Sequence, residues 1–172
     1  VGRLRAAHGE HGGLGELQVT LADQVAAYEA ATGAFLKQAA ELDRTKLDAK
    51  HPDGWSPRQV IHHLADSEAQ SYARLRRLVA EPAGSIIQGY DEAAWATARA
   101  LGYEHDPIDV PLAVFSAVRA GSLAVLRNLT DADLARHGMH SERGRITVED
   151  WLAVYTRHPR EHGEQLAKAL RG

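Results

Sequence analysis

The sequence predicts an all-α fold: a four-helix bundle with one short additional helix and a small hairpin. Three observations carry that prediction. Apolar residues recur at three-to-four spacing over four long segments, the period of helices that each bury one face. The connections between them are irregular and contain the proline and glycine punctuation. Strand-like and helix-like segments do not alternate, and there is no repeat or low-complexity tract, so a parallel α/β sheet is excluded.

Taken in order, residues 1 to about 17 are glycine-rich and lack a helical period. They read as a disordered tail carrying His8 and His11, and residues 18–172 as the bundle domain. From Thr20 to Leu47, residues Leu21, Val25, Tyr28, Ala31, Phe35, Ala39 and Leu42 trace a long amphipathic helix. His51-Pro52-Asp53-Gly54 makes a turn. Ser56 then suits an N-cap, and Pro57 the first helical position, for a second helix ending near Ala80, before Pro82. Residues 82–90 read as a loop, and Asp91 to Leu101 as a short helix carrying Trp95. A break at Gly102–Pro107 precedes a long helix from Val110 to Leu129, and Thr130-Asp131 can cap a further turn. His137 to Ile146 has no helical period, and Glu142-Arg143-Gly144 suits a tight turn in a hairpin. Thr147-Val148-Glu149-Asp150 approximates a capping box, with Asp in place of Glu, for a last helix reaching Leu170.

Composition narrows the function. The chain has 172 residues, 44% of them hydrophobic and 25% charged, the balance of an ordinary globular domain. With no cysteine, disulfides, thiolate metal sites and cysteine nucleophiles are excluded, which suits a cytoplasmic location. No apolar run approaches the roughly 18 residues of a membrane span. The net charge of −3 supplies no basic field for nucleic acid. Ten histidines are the compositional oddity.

His158 and His162 stand four residues apart, so their side chains leave one helix face on consecutive turns, about 40° apart in projection. Trp151, Val154, Tyr155 and Ala169 share that face, which places both imidazoles in the stripe that must bury. On the second helix the apolar stripe centres near Leu64 and Leu75. His63 lies roughly 100° from that centre and His62 roughly 160° away, so His63 is the inward candidate. His62 is expected to face solvent beside Asp66. His51, His105, His137 and His140 fall in loops, where solvent-facing roles are expected. At this point two readings compete. One is a metal site of neutral imidazoles, the other a pair of hydrogen-bonded core histidines.

Gly54-Trp55-Ser56-Pro57-Arg58-Gln59-Val60-Ile61-His62-His63-Leu64-Ala65-Asp66-Ser67-Glu68 resembles the hallmark segment of the DinB-like superfamily, closest to its YfiT-type branch of metal-dependent hydrolases. Gly89-Tyr90-Asp91-Glu92-Ala93-Ala94-Trp95 and His158-Pro159-Arg160-Glu161-His162-Gly163-Glu164-Gln165-Leu166 follow in the family's order and spacing. The resemblance implies a four-helix bundle in which His63, His158 and His162 hold a divalent metal, zinc or nickel. Pro159 departs from the family pattern. It removes the helical N–H that would bond the Tyr155 carbonyl, and is expected to kink the helix and widen the histidine pair.

Three histidines leave a coordination position open, the pattern of a catalytic rather than a structural site. The implied function is a metal-dependent enzyme that activates water, as a hydrolase, or a low-molecular-weight thiol such as bacillithiol, as an S-transferase. The alternative is a non-catalytic bundle that binds metal or a small molecule. Glu161, on the flank of the histidine face, is the candidate catalytic base, and Tyr90, Trp95 and Tyr155 are the candidate pocket lining. Asp66 and Glu68 are assigned to the helix surface or to supporting the histidines. The resemblance further implies a small-molecule substrate and a homodimer, with neither nucleic acid nor membrane as partner.

Overall fold

A computed structural model describes residues 19–49 and 54–171. The tail assigned to residues 1–17, and the turn at 51–53 with its His51, lie outside the described residues. The helices are α1 (Leu21–Ala40), α2 (Pro57–Ala80), α3 (Glu92–Thr97), α4 (Asp109–Leu126) and α5 (Val148–Arg171). The strands are β1 (Ile86–Ile87), β2 (His137–His140) and β3 (Gly144–Thr147).

Local chemistry sets the helix starts. Thr20, Ser56 and Thr147 each head a capping box. The Ser56 hydroxyl accepts the Gln59 N–H at 3.3 Å while the Gln59 side chain accepts the Ser56 N–H at 3.0 Å. Asp150 does the work of Glu at the head of α5, accepting from the Thr147 N–H at 2.9 Å and its hydroxyl at 2.7 Å. α1 stops at Ala40, short of the Leu47 expected from periodicity, and a separate 3-10 turn covers Arg44–Lys46 under an Asp43 cap. Asp43 accepts the Thr45 N–H, so a local side-chain bond competes with continuation of the helix.

α2 packs against α4 and α5, and α1 packs against α5 and α4. The chain-consecutive pairs α1/α2 and α4/α5 therefore sit across the bundle diagonals. The long connections 41–56 and 127–147 make that arrangement reachable. The core divides in two. At one end Tyr28 stacks on Trp151 at 5.8 Å, among Leu75, Leu78, Leu126 and Leu152. At the other, Phe35 and Phe115 meet at 5.0 Å, among Val60, Ile61, Leu64 and Leu166. Gly163 lets α1 close on α5: a Cβ there would lie 2.6 Å from Gln38 Oε1, whose amide donates to the Gly163 carbonyl at 2.8 Å.

The hairpin expected at 137–146 is present as β2–β3, with Gly144 in the left-handed region at φ 75° closing its turn. The segment 82–90, expected to be loop throughout, adds β1 parallel to β2 and completes a three-stranded sheet. Two residues carry no period, which is why the sequence pattern does not reveal this strand.

α4 corrects the expectation about apolar runs. Over Asp109–Leu126 its mean hydropathy is 1.5, and it is the one helix among the described residues long and apolar enough to cross a membrane by length and composition. Asp109 and Arg119 are the charged residues within that run. Arg119, at the middle of the helix, is fully buried within the bundle.

Candidate metal centre

The capping box at Ser56 fixes the start of α2 and so the direction in which His63 projects, two turns later. His63 is buried at 1% exposure. α5 carries His158 and His162 on one face, and the three rings meet between the two helices. Ring centroids are 5.5 Å apart for His63–His158, 4.7 Å for His63–His162 and 4.5 Å for His158–His162. One nitrogen from each ring lies within 4.8 Å of the other two.

Several features suit this cluster to a divalent ion. All three candidate donors are imidazoles, the ligand type shared by zinc and nickel. The Nδ1 atom of His63 is buried without a hydrogen-bond partner, an arrangement that costs free energy unless something supplies one. Burial, reinforced by the two neighbouring histidines, pushes the His63 pKa down to about 3. Burial and His158 push His162 down to about 4, against the opposing bond from Gln165. Both rings are therefore neutral at pH 7, as ligation requires.

Neighbouring side chains orient the rings. His162 Nδ1 and Gln165 Oε1 are 2.8 Å apart. The amide oxygen can only accept, so the proton sits on Nδ1 and the Nε2 lone pair is left free. His158 Nδ1 lies 3.6 Å from Glu68 Oε1. Glu68 is itself buried and receives Arg119 Nη1 at 3.0 Å. Trp55 covers the cluster, 4.6 Å from His63 and stacked on His162 at 6.4 Å.

α5 runs unbroken through Pro159. The Tyr155 carbonyl, which loses its helical donor to Pro159, accepts Arg119 Nη1 at 2.6 Å. The expected widening of the His158/His162 pair does not occur, and the two rings remain in edge contact.

Other expectations are corrected. Glu161 points to solvent in an ion pair with Arg157 at 2.8 Å, so the carboxylate beside the histidines is Glu68. The flank of a helix face turns outward when no neighbouring helix covers it. His62 is buried, not solvent-facing: the loop over Gly102–Pro107 folds onto its side of α2, with the Asp106 carbonyl 3.3 Å from Nε2 and the Tyr103 ring at 5.4 Å. Asp66 accepts from the Tyr103 hydroxyl at 2.7 Å rather than from His62. His140 is buried within β2, and His137 is half-buried at the start of the same strand. His105 is exposed, as expected.

Of the pocket candidates, Tyr155 flanks the cluster, its ring 5.9 Å from His158. Its hydroxyl accepts from Arg74 at 2.8 Å. Arg74 also approaches the Tyr90 ring at 5.8 Å, and the buried Tyr90 hydroxyl has no partner. Trp95 packs on Tyr90 at 4.6 Å and contacts none of the three histidine rings. Sequence reasoning gave no role to Trp55 or Gln165, which lie within the segments of family resemblance, and did not single out Arg74 or Arg119. Of these, Arg119 carried a signal, as the one basic residue inside the apolar α4 segment.

The model of the DinB superfamily matches residues 27–166. The chain belongs to the DinB superfamily. Among curated relatives, a protein from Oceanobacillus iheyensis is 34% identical over 124 residues, covering 71% of this chain and 69% of the relative. YfiT from Bacillus subtilis is 37% identical over 132 residues, covering 75% and 72%. Both are described provisionally as metal-dependent hydrolases. The solved structure of YfiT, described as having an unusual four-helix bundle topology, superposes with a TM-score of 0.78 at 25% identity. It covers 98% of this chain and 91% of YfiT. This DinB-superfamily chain thus combines the bundle of that relative with a three-histidine cluster that fits a metal ion.

Proposed function

We propose that this chain holds a divalent metal ion, zinc or nickel, through His63, His158 and His162, and uses it to activate a water or a low-molecular-weight thiol. The carrying observation is the convergence of three imidazoles, with burial holding His63 and His162 neutral and no fourth histidine or carboxylate among the described residues in the group. Three protein ligands leave a position for a reactant. When bound, the ion supplies Lewis acidity, lowering the pKa of a coordinated water or thiol.

The chain's own groups do the rest. Gln165 holds His162 in one tautomer, and Glu68 lies where it can receive the Nδ1 proton of His158. Trp55 covers one side of the cluster and limits the approach of water. Burial pushes the Tyr155 pKa up, so its hydroxyl stays protonated. Because that oxygen already accepts from Arg74, its proton is free to be donated to a group bound on the Arg74 side of the ring. The absence of cysteine fits a nucleophile that arrives from solution. Hydrolysis is favoured by the relatives' descriptions, and thiol transfer shares the same site. A small-molecule substrate, a cytoplasmic location, a homodimeric assembly and the absence of nucleic-acid or membrane partners belong to the same proposal.

Metal analysis tests it. Purified protein should carry one zinc or nickel per chain, and the His158→Ala/His162→Ala variant none. Absence of stoichiometric metal from the parent protein would sink the reading. Consumption of a thiol with an electrophile such as chlorodinitrobenzene would identify a transferase, and ester hydrolysis without thiol a hydrolase. Bound metal with neither activity would identify a binding protein. Size-exclusion chromatography with light scattering checks the dimer.

A further inference from the structure

A cavity of about 100 Å³ lies on the far side of Tyr155 from His158, between α5, α2 and the β2–β3 hairpin. Its polar wall consists mainly of donors. Arg74 uses its two Nη groups on neutral acceptors, the Tyr155 hydroxyl at 2.8 Å and the Gln88 carbonyl at 3.0 Å, and its Nε is buried without a partner. Neither Arg74 nor Arg143 forms an ion pair among the described residues, although both line this cavity. His140 is the third donor. Its Nδ1 accepts the Glu142 N–H at 3.2 Å, which places the ring proton on Nε2.

The one carboxylate on the wall, Asp150, is engaged by the Thr147 N–H and hydroxyl in the α5 capping box. Ile146, Trp151 and Val154 supply the apolar part of the lining. Two guanidinium groups and an imidazole N–H in one cavity with a short apolar lining match an anion on a small hydrocarbon chain.

We propose that this cavity seats the carboxylate of a small organic acid, with Arg143 and His140 as its donors, the Arg74 charge beside them, and Ile146, Trp151 and Val154 against its chain. A planar carboxylate suits the Arg143 guanidinium fork, with the Arg74 charge beside it, and leaves room in a space this small. The inference deepens the metal-enzyme reading by naming a carboxylate-bearing substrate, and rests on that reading for the fate of the ligand, not for its binding. Tyr155 then stands between recognition and chemistry, one edge toward His158 and its hydroxyl toward Arg74.

The test is a titration of the full-length, isotope-labelled protein by nuclear magnetic resonance with butyrate, neutral butyramide and inorganic phosphate. Butyrate should shift the Trp151 indole N–H, with butyramide at least about tenfold weaker, the loss expected for bonds to a charged group. Arg143→Gln, at an exposed position that the fold does not need, should weaken butyrate about tenfold by the same reasoning. No shift with butyrate, equal binding of butyramide, tighter binding of phosphate, or an unaltered Arg143→Gln variant would each overturn the proposal. Failure of the metal reading appears as missing metal with the butyrate titration intact, so the two failures are distinguishable.

Discussion

Arg119 on α4 donates from Nη1 to the Tyr155 carbonyl on α5 at 2.6 Å, the acceptor that Pro159 strips of its helical N–H. The same guanidinium reaches the Glu68 carboxylate, the Tyr28 carbonyl and the Thr32 hydroxyl, and lies 3.6 Å over the Tyr28 ring. One fully buried side chain thus ties α1, α2 and α5 to α4. It also replaces the hydrogen bond lost within the turn that carries both late histidines.

Pro159→Ala should therefore stabilise less than relief of an ordinary mid-helix proline, which is worth about 3 kcal/mol. Since Arg119 already satisfies the Tyr155 carbonyl, a gain of about 1 kcal/mol or less is expected. In the Pro159→Ala background the loss from Arg119→Met should shrink, because the restored N–H takes over that carbonyl. Urea denaturation of the four species forms the double-mutant cycle, and strict additivity would refute the compensation.

Breaking the Arg119–Glu68 pair has a different signature. Both side chains are buried, at 0% and 1% exposure, so Arg119→Met leaves the Glu68 charge without its partner. A loss of about 3–5 kcal/mol is expected from either single replacement by an apolar residue. The double variant Arg119→Met/Glu68→Leu should recover much of that loss, since no unpaired charge remains. Equilibrium unfolding measures all three.

The sequence revealed the bundle because each helix carries its own period and start signal: Ser56-Pro57 for α2, Thr147 and Asp150 for α5. It also placed His63, His158 and His162 on inward faces, because helix phase follows from residue number alone. What it missed depends on contacts between distant segments. His62 is covered by a loop more than forty positions away, and Glu161 faces outward because no helix packs on that flank. The role of Glu68 becomes visible only with Arg119, fifty-one residues later. Periodicity reports which face of a helix is apolar, not which loop will cover the polar one.

Acid should destabilise the metal-free protein through His63 and His162. Their folded pKa values, about 3 and about 4, lie below the ordinary 6.5. Between those limits the unfolded chain binds protons that the folded one does not. Their contribution is thus complete above pH 6.5 and is lost as pH falls through 6.5 toward 4 and then 3. Urea midpoints measured from pH 7 to pH 4.5 should fall more for the parent than for His63→Gln/His162→Gln, which removes both titrations. Parallel curves would contradict the burial of neutral imidazoles.

Metal affinity should separate the two carboxylates and identify the tautomer device. Glu161 is solvated and paired with Arg157, so Glu161→Gln should leave zinc affinity within about twofold, as for a surface charge with no ligand contact. Gln165→Ala removes the acceptor that holds the proton of His162 on Nδ1 and should weaken zinc by about 10–100-fold, the usual range for a residue that orients a ligand. Glu68→Gln should weaken it by a comparable factor, and also lowers stability by stranding Arg119. Gln165 is partly exposed and carries no buried charge, so its variant keeps the fold and isolates the effect on the ligand. Competition against a chromophoric chelator measures all three affinities. A Gln165→Ala protein that binds zinc like the parent would show that the 2.8 Å contact does not set the protonation of His162.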